Sequence, residues 1–272
     1  FRRIRQYLLS ENKFRKYLVY AIGEIVLVVI GILIALEVNN WNERRNMEKI
    51  EIEYLKRLRS DLANDTAYYH RRIKYSEKVI QDHKRAVAAT YDEISNPTEF
   101  YQSFDYIRFS SEALSIRDNT YREMHNAGQI NLIKNGKVKT ELLEFYRQVD
   151  VAAKHFTEVN DTSIEFLIDF CNQSKALKHF WPHDGTYDWN PYTEEMLNES
   201  NDWQWINDPD SESFKSFQFV LGFYSMKQNM FKEYFKDLTY KATILLKEIE
   251  SELRNRSVEI PELVIESVFV ID

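Results

Sequence analysis

The longest apolar stretch of the chain covers residues 17–38 and contains two charged residues, Glu24 and Glu37. A helix rises about 1.5 Å per residue, so this stretch is roughly 33 Å long, enough to cross the hydrocarbon core of a bilayer. Tyrosines stand at its first end and Trp41 follows its second end, where aromatic residues mark membrane interfaces. The pattern predicts a transmembrane helix over residues 17–41.

Two other kinds of apolar helix fit this stretch less well. A buried helix of a soluble protein rarely stays apolar on every side for such a length. A secretory signal peptide has a shorter apolar core followed by a cleavage site of small residues. The residues that follow here read LEVNNWNE, without a small-residue pair. We therefore expect an uncleaved membrane anchor.

Basic residues are distributed unequally on the two sides of this span. Residues 1–16 contain six Lys or Arg against one Glu, whereas Arg44, Arg45 and Lys49 alternate with glutamates. By the positive-inside rule we expect residues 1–16 to be a cytoplasmic basic segment and the rest of the chain to be exported. The basic segment also carries apolar residues at helical spacing, so it either lies on anionic headgroups or is a solvated tail.

The chain after the span predicts an all-α domain over residues 42–260. Neither Gly nor Pro occurs between Gly31 and Pro97, and apolar residues recur every three to four positions from Met47 to Leu62. The membrane helix can therefore continue as an amphipathic helix. The other predicted elements are a short helix closed near Gly128, a turn at Asn135 and Gly136, a helix over 138–177, an irregular excursion over 178–210, and a last helix that Asp208 and Pro209 open and that ends near Arg256.

The last twelve residues, 261–272, read PELVIESVFVID and are rich in β-branched side chains. This pattern predicts a short extended C-terminal tail. Taken together, the elements give an N-terminal transmembrane helix followed by a long-helix bundle outside the membrane.

Composition limits the partners of this domain. Hydrophobic residues make up 44 % of the 272 residues and aromatic residues 14 %, which is sufficient for a packed core. Residues 43–272 carry a net charge of −10, which argues against nucleic acid and anionic membrane surfaces as partners. Cys171 is the one cysteine, so no internal disulfide forms, and this favours a bacterial periplasm over a eukaryotic secretory route. Its apolar neighbours, IEFLIDF, predict a buried thiol.

Two stretches, AIGEIVLVVIGILIALEVNNWNE (21–43) and NTYREMHNAGQINLIKN (119–135), resemble an uncharacterised family of single-span membrane proteins from Bacteroidota. The resemblance implies an inner-membrane anchor, a periplasmic domain and a Gram-negative host. It carries over no functional residues, because the family has no assigned activity. Within that resemblance, Asp65-Thr66-Ala67 is similar to the short O-glycosylation signal of that phylum's periplasm.

Glu24 is the sharpest feature of the span. A carboxylate in the hydrocarbon region costs a few kcal/mol or more unless it is protonated, paired or turned toward protein or water. Small residues share its helix face and allow close helix–helix packing, so we predict a homo-oligomer. In the alternative, the Glu24 side chain extends toward Arg15 or Lys16 at the cytoplasmic interface. The predicted stripe consists of Ala21, Glu24, Val28, Gly31, Ala35 and Val38.

The irregular excursion contains most of the tryptophans. Such rings either stack on a sugar or peptide ligand or pack the loop onto the bundle, and core packing is the more common role. The four rings are Trp181, Trp189, Trp203 and Trp205.

Motifs for enzymatic chemistry are missing from the sequence. His179, His183 and Asp184 have loose metal-ligand spacing without a further His or Cys motif, so we expect no metal and no cofactor. There is no Gly-rich phosphate loop, G-x-S-x-G, H-E-x-x-H or C-x-x-C. An enzyme is therefore not expected.

Three functions fit these features. The first is a scaffold or interaction protein that forms homo-oligomers in the bilayer and contacts a periplasmic protein or glycan. The second is a proton or cation channel in which clustered Glu24 side chains line the path. The third is a periplasmic ligand sensor, which would act through a partner because residues 1–16 are too few for an output domain.

Overall fold

A computed structural model describes residues 13–174, 195–196, 199, 202–260 and 262–263. Within this part of the chain the regular structure is helical and contains no strand, so the predicted all-α class is confirmed. The predicted tail, residues 261–272, lies almost wholly outside the described residues. The elements are α1 (Lys13–Ala89), α2 (Pro97–Phe104), α3 (Asn119–Asn126), α4 (Gly136–Ser174) and α5 (Glu212–Asn255), with 3₁₀ turns at Gln129–Leu132 and Gln204–Asn207.

The chain divides into two compact units, Phe1–Tyr54 and Leu55–Asp272. In the first unit every side chain from Leu18 to Ile50 is exposed. Among the described residues, α1 is the helix whose length and composition allow it to cross a membrane, and none of its most apolar 18-residue window is buried within the chain. The predicted membrane helix therefore exists as a helix with an apolar surface on all sides.

The second unit has its own hydrophobic core, built from the part of α1 after Tyr54 and from α4 and α5. Each helix contributes an apolar stripe at three-to-four spacing, as amphipathic helices do. Phe156 of α4 and Phe231 of α5 stack with ring centroids 3.7 Å apart, and Phe235 meets Phe156 edge-on at 5.3 Å. Aromatic pairs of this kind add roughly 0.5–1.5 kcal/mol beyond the area they bury.

Local sequence signals set where several of the helices begin or end. Asn96 caps α2, since its side-chain oxygen accepts a hydrogen bond from Glu99 N at 2.9 Å, and proline follows it in the first turn. Gly128 follows α3 in a left-handed conformation with φ 67°, which glycine adopts without strain, so the predicted closure is confirmed. Asn135 accepts hydrogen bonds from Lys137 N and Val138 N and begins α4 as its cap, where a turn was expected.

The predicted start of the last helix was wrong. The α5 helix begins at Glu212, and its N-cap is Ser211, whose Oγ accepts a hydrogen bond from Phe214 N at 3.1 Å. Asp208 instead closes a turn through its own side chain, which accepts from Asp210 N at 3.1 Å. A short Asp side chain can accept a hydrogen bond from a backbone N–H in a turn as well as at the start of a helix, and here it does so in the turn.

Between α2 and α3 the chain is extended. Residues 107–118, which we call the strap, have no regular secondary structure. They run antiparallel to α1: Tyr106, just before the strap, lies against Arg85, and Arg117 reaches Asp65. The strap also contacts α4 and α5, so it occupies a groove between three helices. It takes the place that a fourth helix would have in a bundle.

Candidate functional sites

The six residues of the predicted Glu24 stripe are exposed on the first unit. A side chain added at Gly31 would meet no atom within 4 Å, so this face is open in the single chain. Farther along the same helix Glu37 accepts a hydrogen bond from Arg44 at 2.5 Å. The stripe thus forms an accessible face for a neighbouring helix, while the second acidic residue of the span already has a partner.

Two of the four predicted tryptophans lie in the core of the second unit. Trp203 is 5 % exposed, and the Trp205 ring meets Phe170 and Phe217 edge-on at 5.6 and 5.4 Å. These contacts fit the packing role, with Trp203 buried in the core and Trp205 half-buried against it. Trp181 and Trp189 lie outside the described residues.

The remaining sequence candidates are the cysteine and the possible metal ligands. Cys171 packs half-buried against the same aromatic cluster, and burial raises the pKa of its thiol to about 11, which makes it unreactive at neutral pH. His179, His183 and Asp184 lie outside the described residues. Within the described part of the chain no group of three His, Cys, Asp or Glu side chains is placed to hold a metal ion.

The segment similar to a glycosylation signal lies inside α1. Asp65 is 1 % exposed, and the Thr66 hydroxyl donates a hydrogen bond to Leu62 O at 2.7 Å. A modifying enzyme needs an accessible backbone and a free hydroxyl, and this helical position offers neither.

A polar site that the sequence did not predict lies beneath the strap. At one end Asp65 accepts hydrogen bonds from Arg117 N at 3.0 and 3.2 Å, and the Arg117 guanidinium is 3.8 Å away. Burial raises the pKa of Asp65 to about 7, although the Arg117 backbone and guanidinium act in the opposite direction. Asp61, one turn earlier, accepts a hydrogen bond from Thr120 Oγ1 at 2.5 Å, and burial raises its pKa as well.

Lys227 holds the other end of the strap from α5. Its side chain is fully buried, and Nζ donates to Ser110 O at 2.7 Å and to Ser163 Oγ at 2.9 Å. The same ammonium lies 4.0 Å from the centre of the Tyr224 ring, a cation–π distance. Burial lowers the pKa of Lys227 to about 8.

His83 of α1 lies beside this lysine site. Its ring stacks on Tyr224 at 6.2 Å and meets Phe109 of the strap edge-on at 6.1 Å. The Nδ1 atom hydrogen-bonds Val79 O at 2.8 Å, whereas the buried Nε2 atom has no partner among the described residues. Burial lowers the pKa of His83, so the ring is neutral at neutral pH.

A third set of contacts holds the middle of the strap. Glu112 forms an ion pair with Arg72 of α1, and its carbonyl oxygen accepts a hydrogen bond from Asn160 Nδ2 of α4 at 2.9 Å. Polar residues at apolar-stripe positions were the available sequence signal, since His83 and Lys227 both interrupt such stripes. The strap itself carries no helical or alternating pattern that would place it.

The comparisons with known proteins extend over part of this architecture. Residues 24–111 match the model of a family of unknown function (DUF6090). The matched segment contains the Glu24 stripe from Glu24 onward, the α1 side of the groove and the first residues of the strap. No curated protein and no solved structure matches the chain.

Proposed function

We propose that the chain is a single-span membrane protein whose helical unit is exported to the periplasm, where it serves as an interaction scaffold. The observation that carries the proposal is the contrast between the two units. Side chains from Leu18 to Val38 form an exposed, mostly apolar helix surface, whereas the second unit buries its own core. An apolar surface of this length is stable in a bilayer and would aggregate in water.

In this proposal the chains assemble through the Glu24 stripe. A single-span helix has no second helix of its own to shield a carboxyl group in the bilayer, so another copy must supply the partner. A carboxyl group that carries its proton can donate a hydrogen bond to its neighbour, and Gly31 and Ala35 let the two backbones approach. The match to a family of unknown function begins at Glu24 and is compatible with this role.

The test counts subunits by native mass spectrometry in mild detergent. Glu24→Gln keeps a donor and an acceptor and should preserve the oligomer, whereas Glu24→Leu should weaken it. Gly31→Leu should weaken it through steric bulk. The matched control is Gly23→Leu, because residue 23 lies about 100° away from Glu24 around the helix.

A monomer in the wild type, or equal effects of Gly31→Leu and Gly23→Leu, would contradict assembly through this stripe. Measuring ion flux into liposomes distinguishes the second function, a cation or proton path, from the scaffold function. If the stripe conducts, Glu24→Gln should abolish flux while the subunit number stays the same.

A further inference from the structure

The groove holds the strap largely through the strap's backbone. Lys227 and Asn160 donate to the carbonyl oxygens of Ser110 and Glu112, and Asp65 accepts from the backbone N of Arg117. These clamps come from all three surrounding helices and depend on side chains alone, without a helix or sheet ladder. A segment held in this way can detach without disturbing the hydrogen bonds of the helices.

The helices around the strap also contain polar atoms that the closed arrangement leaves without a partner. Among the described residues of α1, α4 and α5, these buried atoms are Tyr69 Oη, Arg72 Nε, His83 Nε2, Glu141 Oε2 and Asn160 Oδ1. A buried polar group without a hydrogen bond costs about 1–3 kcal/mol, so the closed groove is not optimised for stability. Arg72, His83 and Asn160 contact the strap, so water entering an open groove would reach these three side chains.

Two buried ionisable groups stand at opposite ends of the strap: Asp65 pairs with Arg117 at 3.8 Å, whereas Lys227 has no ion-pair partner among the described residues. The groups that face Asp65 are Asp61, Tyr68 and Tyr69 on α1, Tyr146 on α4, and Arg117 and Asp118 at the strap end. The groups that face Lys227 are His83 on α1, Tyr224 on α5 and Glu112 on the strap, whose carboxylate pairs with Arg72.

We propose that the strap opens and closes over the three-helix groove as a local unit, and that proton binding at Asp65 and Lys227 sets how often it opens. Closing removes both charges from water, so it is favoured when Asp65 is protonated or when Lys227 is neutral. The equilibrium between open and closed strap therefore favours closing least near pH 7.5, where both groups are charged. It favours closing more at lower and at higher pH. This proposal does not depend on assembly through Glu24.

The sign follows from the number of protons bound in each state. An open Asp65 has an ordinary pKa near 3.8, and a closed one has a pKa of about 7, so closing takes up a proton between these values and strengthens as the pH falls. An open Lys227 has a pKa near 10.5 and a closed one about 8, so closing releases a proton and strengthens as the pH rises. His83 acts against Asp65 at acidic pH. Burial lowers the pKa of His83 in the closed state, so protonation of His83 below about pH 6.5 favours opening.

The test is hydrogen exchange of the full chain in detergent micelles, read by mass spectrometry as protection factors that remove the intrinsic pH dependence. In the wild type, protection of the Arg117 amide, which donates to Asp65 in the closed strap, should rise about tenfold or more from pH 7.5 to pH 9.5. In a His83→Phe background, protection of Arg117 should rise about tenfold or more from pH 7.5 to pH 5.5.

Variants show which charged residue causes each rise in protection. Lys227→Met should abolish only the rise between pH 7.5 and pH 9.5, and Asp65→Asn only the rise between pH 7.5 and pH 5.5. The matched controls are Lys247→Met and Asp161→Asn, which change exposed residues of α5 and α4 and should keep both rises. Protection that is independent of pH in the wild type, or a strap that exchanges only with the core of α4, would overturn the proposal, and the wild-type arm decides even if a variant fails to fold.

Discussion

Polar side chains at core positions of the second unit cost stability in their ionised or unpaired forms. His83 is one of them: its ring lies between Tyr224 and Phe109, and its Nε2 atom lacks a partner among the described residues. In the sequence, His83 appears as a polar residue at an apolar position of the helix. A substitution at this position changes the side chain without disturbing the helix backbone.

We expect His83→Phe to leave the free energy of unfolding at pH 7.5 within about 1 kcal/mol of the wild type, because a ring of similar size replaces it. At pH 5.5 the variant should gain about 1 kcal/mol over the wild type. The lowered pKa of His83 means that the wild type binds a proton there only on unfolding, so its stability falls as the pH drops below 6.5. Thermal unfolding at the two pH values measures this, with His70→Phe as the exposed control; an equal pH response of His83→Phe and wild type would contradict it.

The start of α5 depends on one serine. Ser211→Ala should lower the free energy of unfolding by about 1 kcal/mol, since it removes the hydrogen bond from Phe214 N. Ser213→Ala, in the first turn of the same helix, is the control and should change stability little. The same thermal scans also test Asp208→Ala, and a larger loss there than at Ser211 would restore Asp208 as the cap.

At the scale of elements, helices with a clear apolar period were predictable, and extended segments were not. The period of residues 47–62 and the helix closure at Gly128 depend on neighbours in the sequence, so local patterns predict them. The strap is held by side chains far away along the chain, such as Lys227 for Ser110 and Asp65 for Arg117. No local pattern encodes such contacts, and the candidate site beneath the strap was therefore missed.

Trp205 decides between the two roles of the tryptophans. Trp205→Ala should lower the free energy of unfolding by about 3 kcal/mol, because it removes contacts with Phe100, Phe170 and Phe217 from the core. Tyr240→Ala, at an exposed position of α5, is the control and should cost little. A stable Trp205→Ala protein that loses binding to a glycan array would instead assign the ring to a ligand site.

At the scale of the whole molecule, the two units divide the tasks of the proposed function. The first presents an apolar helix with one carboxyl group on its small-residue face, and the second is a folded helical unit with a movable strap. In the proposed function, the net charge of −10 after the span is the reason to expect that this unit does not bind anionic headgroups. The sequence predicted a long apolar helix followed by a helical domain, because hydropathy and helical periodicity are read from the chain without knowledge of detailed contacts.

The orientation of the chain across the membrane tests the central claim most directly. The experiment introduces single cysteines at Ser10, Ser60 and Ser251 in a Cys171→Ala background. Cells with a permeabilised outer membrane are then treated with a membrane-impermeant thiol reagent. The account predicts that Ser60→Cys and Ser251→Cys are labelled in intact inner membranes, and that Ser10→Cys is labelled only after lysis. Labelling of all three positions, or of Ser10→Cys alone, before lysis would contradict a single-span anchor with an exported helical unit.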